Sequence, residues 1–192
     1  VVEAVSGATV SGVAHFSLSN LGSLAYLRGG SQSITQTMVW VNRQGGATPM
    51  PAPPRNYRQP RLSPDGRQVA VGIGSDVWIY DIPRDTLTRL TFEGNGNSTF
   101  TWSPDGKRIA FRSNRAGPFN IFWQPADGSG STERLTTSDN QQSPSSFSPD
   151  GQLLAFIDQP PETGRDIWVL NMKDPSAGPS AGLGTSSGQG RK

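Results

Sequence analysis

One phrase of nine residues occurs three times. Ser63-Pro64-Asp65-Gly66-Arg67-Gln68-Val69-Ala70-Val71 is followed by Ser103-Pro104-Asp105-Gly106-Lys107-Arg108-Ile109-Ala110-Phe111, then by Ser148-Pro149-Asp150-Gly151-Gln152-Leu153-Leu154-Ala155-Phe156. The copies lie about 40 and about 45 residues apart, a period typical of stacked supersecondary units. A weaker copy runs from Phe16 to Tyr26; it lacks the Pro-Asp pair but keeps Gly22 and the apolar-Ala-aromatic ending Leu24-Ala25-Tyr26. A unit this short cannot bury an apolar face alone, so each must pack on its neighbours.

The phrase reads as a hairpin. Proline presets φ for the second position of a type I turn, and aspartate can bond nearby backbone N–H groups. Glycine then takes the dihedral that closes the loop. Ser63, Pro64, Asp65 and Gly66, Ser103, Pro104, Asp105 and Gly106, and Ser148, Pro149, Asp150 and Gly151 are therefore structural turn residues. The large-small-large runs after them are strands apolar on both faces, as a strand buried on both faces must be. The alanine lets a neighbouring sheet approach on one side.

Two further signals follow each hairpin. Asp76-Val77-Trp78-Ile79-Tyr80-Asp81, Asn120-Ile121-Phe122-Trp123-Gln124 and Asp166-Ile167-Trp168-Val169-Leu170-Asn171 are β-branched and aromatic runs, with Met38-Val39-Trp40-Val41-Asn42 as the earliest copy. Leu87-Thr88-Arg89-Leu90-Thr91 is matched by Glu133-Arg134-Leu135-Thr136. Each unit thus holds four strands, which describes a β-propeller blade. The spacing predicts an all-β chain with blades at residues 12–52, 58–91, 98–136 and 143–171, the last without an outer strand. Residues 172–192 have the Gly/Ser/Pro composition of a flexible tail. Residues 1–11 are expected to end a preceding blade, or alternatively to supply, through 1–5, the strand that closes a four-bladed ring.

Composition agrees with this reading. Glycine (23) and proline (16) are abundant, and charged residues are only 17%, which excludes a coiled coil. No apolar run is long enough for a membrane-spanning helix. Seventeen basic against fifteen acidic residues leave a net charge of +2, too little for a nucleic-acid footprint. Without cysteine there is no disulfide, thiolate metal site or cysteine nucleophile.

Catalytic and metal chemistry find little support. The single histidine, His15, lies in the first predicted strand and reads as structural. Gly184-Thr185-Ser186-Ser187-Gly188 has the letters of a nucleophile elbow but not the strand and helix that motif needs. Asp65, Asp105 and Asp150 resemble repeated calcium ligands, yet they fall on different blades and turn formation explains them. No metal or cofactor is expected. Arg112, Asn114 and Arg115 are the loop candidates for binding, as donors to an anionic peptide or sugar.

The Ser-Pro-Asp-Gly-x-x-apolar-Ala-aromatic phrase, followed by Asp166-Ile167-Trp168 and by Arg134-Leu135-Thr136, resembles the blade of TolB-like β-propeller repeats, in the wider WD-repeat-like class. The resemblance covers about residues 12–171. It implies six blades, so the four units here read as part of a larger array. It also implies a non-catalytic scaffold that binds a protein or peptide, in a bacterial periplasmic or other extracytoplasmic setting. Val39-Trp40-Val41-Asn42-Arg43-Gln44-Gly45, Pro53-Pro54-Arg55-Asn56-Tyr57 and Ser113-Asn114-Arg115-Ala116-Gly117 further resemble the propeller region that follows bacterial serine/threonine protein kinases. That likeness implies a kinase sensor region. Similar propellers gate peptidases of the prolyl oligopeptidase family. The catalytic motifs of either enzyme do not occur in these 192 residues.

Overall fold

The computed structural model describes residues 16–18, 24–28, 35–173 and 180–181. They form four antiparallel sheets of four strands each, every one a simple meander. The first contains β1 (Phe16–Leu18), β2 (Leu24–Arg28), β3 (Thr37–Val41) and β4 (Ala47–Pro49). The second contains β5 (Tyr57–Leu62), β6 (Gln68–Ile73), β7 (Asp76–Asp81) and β8 (Thr86–Arg89). The third contains β9 (Ser98–Trp102), β10 (Arg108–Ser113), β11 (Asn120–Pro125) and β12 (Glu133–Arg134). The fourth contains β13 (Gln141–Phe147), β14 (Leu153–Gln159), β15 (Asp166–Asn171) and β16 (Ser180–Ala181). The architecture is an all-β propeller, as the repeats predict. No helix among the described residues is long and apolar enough to cross a membrane.

The turns are built alike. Ser63 Oγ donates to Asp65 Oδ1 at 2.6 Å and accepts the N–H of Gln68 at 2.9 Å. Ser103 does the same with Asp105 (2.6 Å) and Arg108 (2.9 Å), and Ser148 with Asp150 (2.5 Å) and Leu153 (2.9 Å). In each turn the glycine N–H bonds the serine carbonyl at 2.9 Å. Gly66, Gly106 and Gly151 hold φ of 70°, 69° and 71°, the left-handed region that glycine enters without strain. The clamp sets the register of the following hairpin, pairing Leu62 with Val69 and Phe147 with Leu154.

Register decides what faces what. Val69 and Val71 pack back onto the first sheet, in a cluster with Met38, Met50, Tyr57 and Tyr80. Ala70, on the other face, joins Val77 and Ile79 against Phe100, Ile109, Phe111 and Phe122 of the third sheet. The Phe111 and Phe122 rings stack there, with centroids 6.5 Å apart. Ala110 and Ile121 in turn meet Leu154, Phe156 and Leu170 of the fourth. The large residues point backward and the alanine forward, three times. On the fourth sheet the forward face has no such partner among the described residues. Ile167 is 74% exposed, whereas Val77 and Ile121 at the same position are fully buried.

The Arg-Leu-Thr signal locks the outer strand to the third. Arg89 Nη2 lies 2.8 Å from Asp76 Oδ2, and its Nε donates to the Thr91 carbonyl at 2.8 Å. Thr91 Oγ1 accepts the Val77 N–H at 3.0 Å. In the next blade Arg134 bonds Asn120 and the Thr136 carbonyl, and Thr136 Oγ1 accepts the Ile121 N–H at 3.0 Å.

One expectation needs correction. The fourth unit has an outer strand: β16 pairs with β15, Trp168 opposite Ala181 and Val169 opposite Ser180. It comes from the segment expected to be tail. The pairing runs through main-chain groups along β15, and a Ser-Ala pair in a Gly/Ser/Pro-rich segment carries no strand signal in composition. Residues 1–5, the alternative closing strand, lie outside the described residues.

Two outcomes follow from this packing. Ala110→Leu forces extra methylenes into a closed junction and should cost about 1–3 kcal/mol in urea unfolding. Ala155→Leu, on the open face, should stay within about 0.5 kcal/mol; equal effects would contradict the forward-face assignment. The second outcome concerns acid. The serine hydroxyl bond, then the backbone N–H two residues on, hold the Asp65, Asp105 and Asp150 carboxyls below the usual value of 3.8. The unfolded chain therefore binds more protons, and these groups stabilise the fold above that value and cease to as pH falls through their folded values. The thermal midpoint should drop below about pH 4, and the triple Asp→Asn variant should show a shallower drop; identical acid limbs would contradict it.

Candidate functional site

The innermost strands β5, β9 and β13 end in Leu62, Trp102 and Phe147, each just before its turn. Those ends and the turn prolines surround a concavity of about 450 Å³, lined by Arg61, Pro64, Thr101, Trp102, Pro104, Ser146, Phe147 and Pro149 among others. The turns sit shoulder to shoulder. A Cβ on Gly106 would lie 3.5 Å from Pro64 Cδ, and one on Gly151 would lie 3.7 Å from Pro104 Cδ. Pro64 and Pro104 thus each pack beside the glycine of the next turn, and the three turns line up along one rim.

The strands behind this mouth are bulged. Pairing of β5 with β6 shifts between Arg58 and Arg61, and that of β13 with β14 shifts between Pro144 and Ser146. In β9 the partners of Phe111 and Arg112 step from Phe100 to Ser98, past Thr99. Gln59 and Thr99 take φ of 51° and 43° within these bulges. The inserted residue bends the strand and re-aims its neighbours. It also links blades: Gln59 Oε1 accepts the Thr99 N–H at 3.1 Å, and Trp102 Nε1 donates to the Arg61 carbonyl at 2.9 Å.

A second concavity of about 460 Å³ opens between the third and fourth sheets, sharing Pro104, Phe147 and Pro149 with the mouth. There the Arg108 guanidinium lies 4.3 Å from the centroid of the Trp123 ring. Arg108 Nη1 meets Glu133 Oε1 at 2.9 Å, and Trp123 Nε1 donates to Glu133 Oε2 at 3.0 Å. These two bonds hold the Glu133 carboxyl below its usual range.

The loop candidates Arg112, Asn114 and Arg115 lie at the other end of β10 from its turn, and they do not converge. Arg112 stacks over the Phe119 ring at 3.9 Å and reaches β13, donating to Ser143 Oγ at 3.3 Å and Gln141 Oε1 at 3.1 Å. Arg115 and Asn114 face the connection out of the second sheet. Arg115 Nη1 lies 3.6 Å from Glu93 Oε2 and its Nε donates to Ser113 Oγ, while Asn114 Oδ1 accepts the Asn95 N–H at 3.0 Å. Burial lowers the affinity of both guanidinium groups for their protons. All three side chains therefore brace one blade or loop against the next. Gly94 and Gly96 admit the close approach: a Cβ on Gly96 would lie 2.6 Å from Phe119 Cε1.

His15 and the segment 184–188 lie outside the described residues. Asp65, Asp105 and Asp150 sit on separate turns, each with Oδ1 engaged by its own serine and backbone N–H. Among the described residues no three His, Cys, Asp or Glu come together to hold a metal ion.

Arg61 belongs to no motif, and Arg108, Trp123 and Glu133 stand inside repeated strands that do not single them out. The signal that finds them is departure from the repeat. Trp40, Ile79 and Val169 stand at the position of Trp123, Gln68 and Leu153 at that of Arg108, and Thr48 and Thr88 at that of Glu133, so the departure lies in the Arg108–Glu133 pair.

The family model of the TolB beta propeller domain matches residues 35–180. Among solved structures, TolB from Acinetobacter baumannii superposes with a TM-score of 0.69 at 24% identity, over 84% of this chain and 41% of that one. A protein from Agrobacterium tumefaciens described as TolB gives 0.69 at 27% identity, over 82% and 61%. The chain therefore spans less than two thirds of either. COMPASS component SWD3 of Saccharomyces cerevisiae is 42% identical over 55 residues, 28% of this chain and 18% of that protein.

Gly96→Ala should destabilise the chain by about 1–3 kcal/mol, because the Phe119 ring is held in place by Arg112. In a double-mutant cycle Phe119→Leu should relieve most of that cost. Strict additivity of the two would contradict the close approach.

Proposed function

Since the chain belongs to the TolB β-propeller domain family, we propose that it is a non-catalytic scaffold that binds a protein or peptide on the face formed by its Ser-Pro-Asp-Gly turns. The observation that carries this reading is the pair of adjoining concavities, about 450 and 460 Å³, on that face. Their walls are prolines and aromatic rings with a few polar groups between them, the composition of recognition surfaces. The rim is rigid, because each turn is clamped internally and packed on the next. A rigid concave surface binds with little ordering cost. The far ends of the strands are engaged in blade-to-blade bracing through Arg112, Asn114 and Arg115, which suits them to hold the scaffold's shape. The serines of the turns each bond an aspartate and a backbone N–H, the contacts of a turn clamp.

Selection of binders from a displayed library of random peptides tests the reading. Enriched peptides should bind the purified chain and weaken at least about tenfold with Phe147→Ala or Pro149→Ser. They should be indifferent to Phe92→Ser, an exposed ring away from the turns. Peptides that ignore the two turn-face variants, or no enrichment at all, would overturn it.

A further inference from the structure

The mouth is not symmetric, although the repeat that builds it is. Arg61, Thr101 and Ser146 are equivalent residues of β5, β9 and β13: each pairs with the repeat's alanine, Ala70, Ala110 and Ala155. All three line the same concavity. Two of them are hydroxyls and one is a guanidinium.

Among the described residues Arg61 is the only charged one of that lining, and none of them is a carboxylate. Among the described residues it forms no ion pair and its guanidinium donates no hydrogen bond. Two nearby arginines are engaged instead. Arg58, on the same strand, bonds the Gly74 carbonyl, and Arg108 is paired with Glu133. The turn carboxylates Asp65, Asp105 and Asp150 are each engaged by their own serine and by the backbone N–H two residues on.

The backbone beneath Arg61 is fixed. Its carbonyl takes the Trp102 indole N–H from the neighbouring blade, and the bulge directly before it sets its direction. A planar fork of donors on a fixed backbone, beside two hydroxyls and walled by Trp102, Phe147 and Pro104, is matched by a carboxylate carried on an apolar or extended chain. We propose that the mouth takes a carboxylate of the bound peptide, an Asp or Glu side chain or the C-terminus, on the Arg61 guanidinium, with Thr101 and Ser146 as the flanking hydroxyl donors.

This rests on the peptide-binding reading above and can fail without it. The probes are the acetylated, amidated peptide Gly-Pro-Glu-Pro-Gly, its Gln counterpart, the same frame as a free acid lacking Glu, and D-galacturonate. The indole N–H resonance of Trp102 reports binding, because it bonds the Arg61 carbonyl. The peptides selected on the turn face supply tighter ligands for the same comparison. Selected peptides should be enriched in carboxylates. Their affinity should fall about 10–100-fold with Arg61→Gln, as loss of a hydrogen bond to a charged group does. Their Glu→Gln or Asp→Asn counterparts should bind equally weakly to parent and Arg61→Gln chains. Thr101→Val with Ser146→Ala should give a smaller loss, and Arg58→Gln none. Arg61 is exposed, so its variant should keep the parent's unfolding midpoint, and Arg61→Lys should restore part of the affinity.

Turn-face binding that survives Arg61→Gln within about twofold would overturn the carboxylate assignment and leave the peptide reading standing. A Trp102 response to galacturonate and to no peptide would overturn it in favour of a sugar acid. Peptides that bind away from the turn face would overturn both.

Discussion

Each turn depends on one hydroxyl. The serine at its start donates a hydrogen bond to the aspartate two residues on and accepts one from the N–H of the residue five on. The bond pair closes a tight loop whose glycine sits at positive φ. Once the loop is closed the register of the hairpin is fixed, and a slip of one residue would exchange its two faces. Register in turn sends the large residues of the second strand back and the alanine forward. Three successive junctions follow from that one local arrangement.

The mouth is a by-product of the same arrangement. Turns held at equal heights bring Pro64 and Pro104 each beside the next turn's glycine, and the inner strands end in Leu62, Trp102 and Phe147 at the rim. What the repeat constructs is a frame with little chemistry of its own. Chemistry enters where copies differ: a guanidinium among hydroxyls at Arg61, and an Arg108–Glu133 ion pair where the second blade has Gln68 and Thr88. Bulges at Gln59 and Thr99 add to this, since they twist the inner strands and tie adjacent blades through side chains.

Much of the fold was legible in the sequence because its determinants are local. Ser63-Pro64-Asp65-Gly66 carries its own turn chemistry, and Leu87-Thr88-Arg89-Leu90-Thr91 carries its own lock. β16 was not legible, because Ser180 and Ala181 are held through main-chain pairing that leaves no mark on composition. The surroundings of the loop candidates were not legible for a different reason. Arg112, Asn114 and Arg115 look available in a loop, but their partners Gln141, Ser143, Glu93 and Asn95 lie on other blades or connections, and no spacing rule brings those together. Arg61 sits inside a strand and makes no motif. Only an alignment of the blades on their alanines sets it beside Thr101 and Ser146.

Amide hydrogen exchange measures the turn clamp most directly. If the serine hydroxyls hold the hairpins as described, the N–H groups of Gln68, Arg108 and Leu153, together with Gly66, Gly106 and Gly151, should be protected as strongly as the core strand amides of Ala70, Ala110 and Phe156. Exchange of these turn amides at the rate of an unstructured peptide, with the strand amides still protected, would contradict the account.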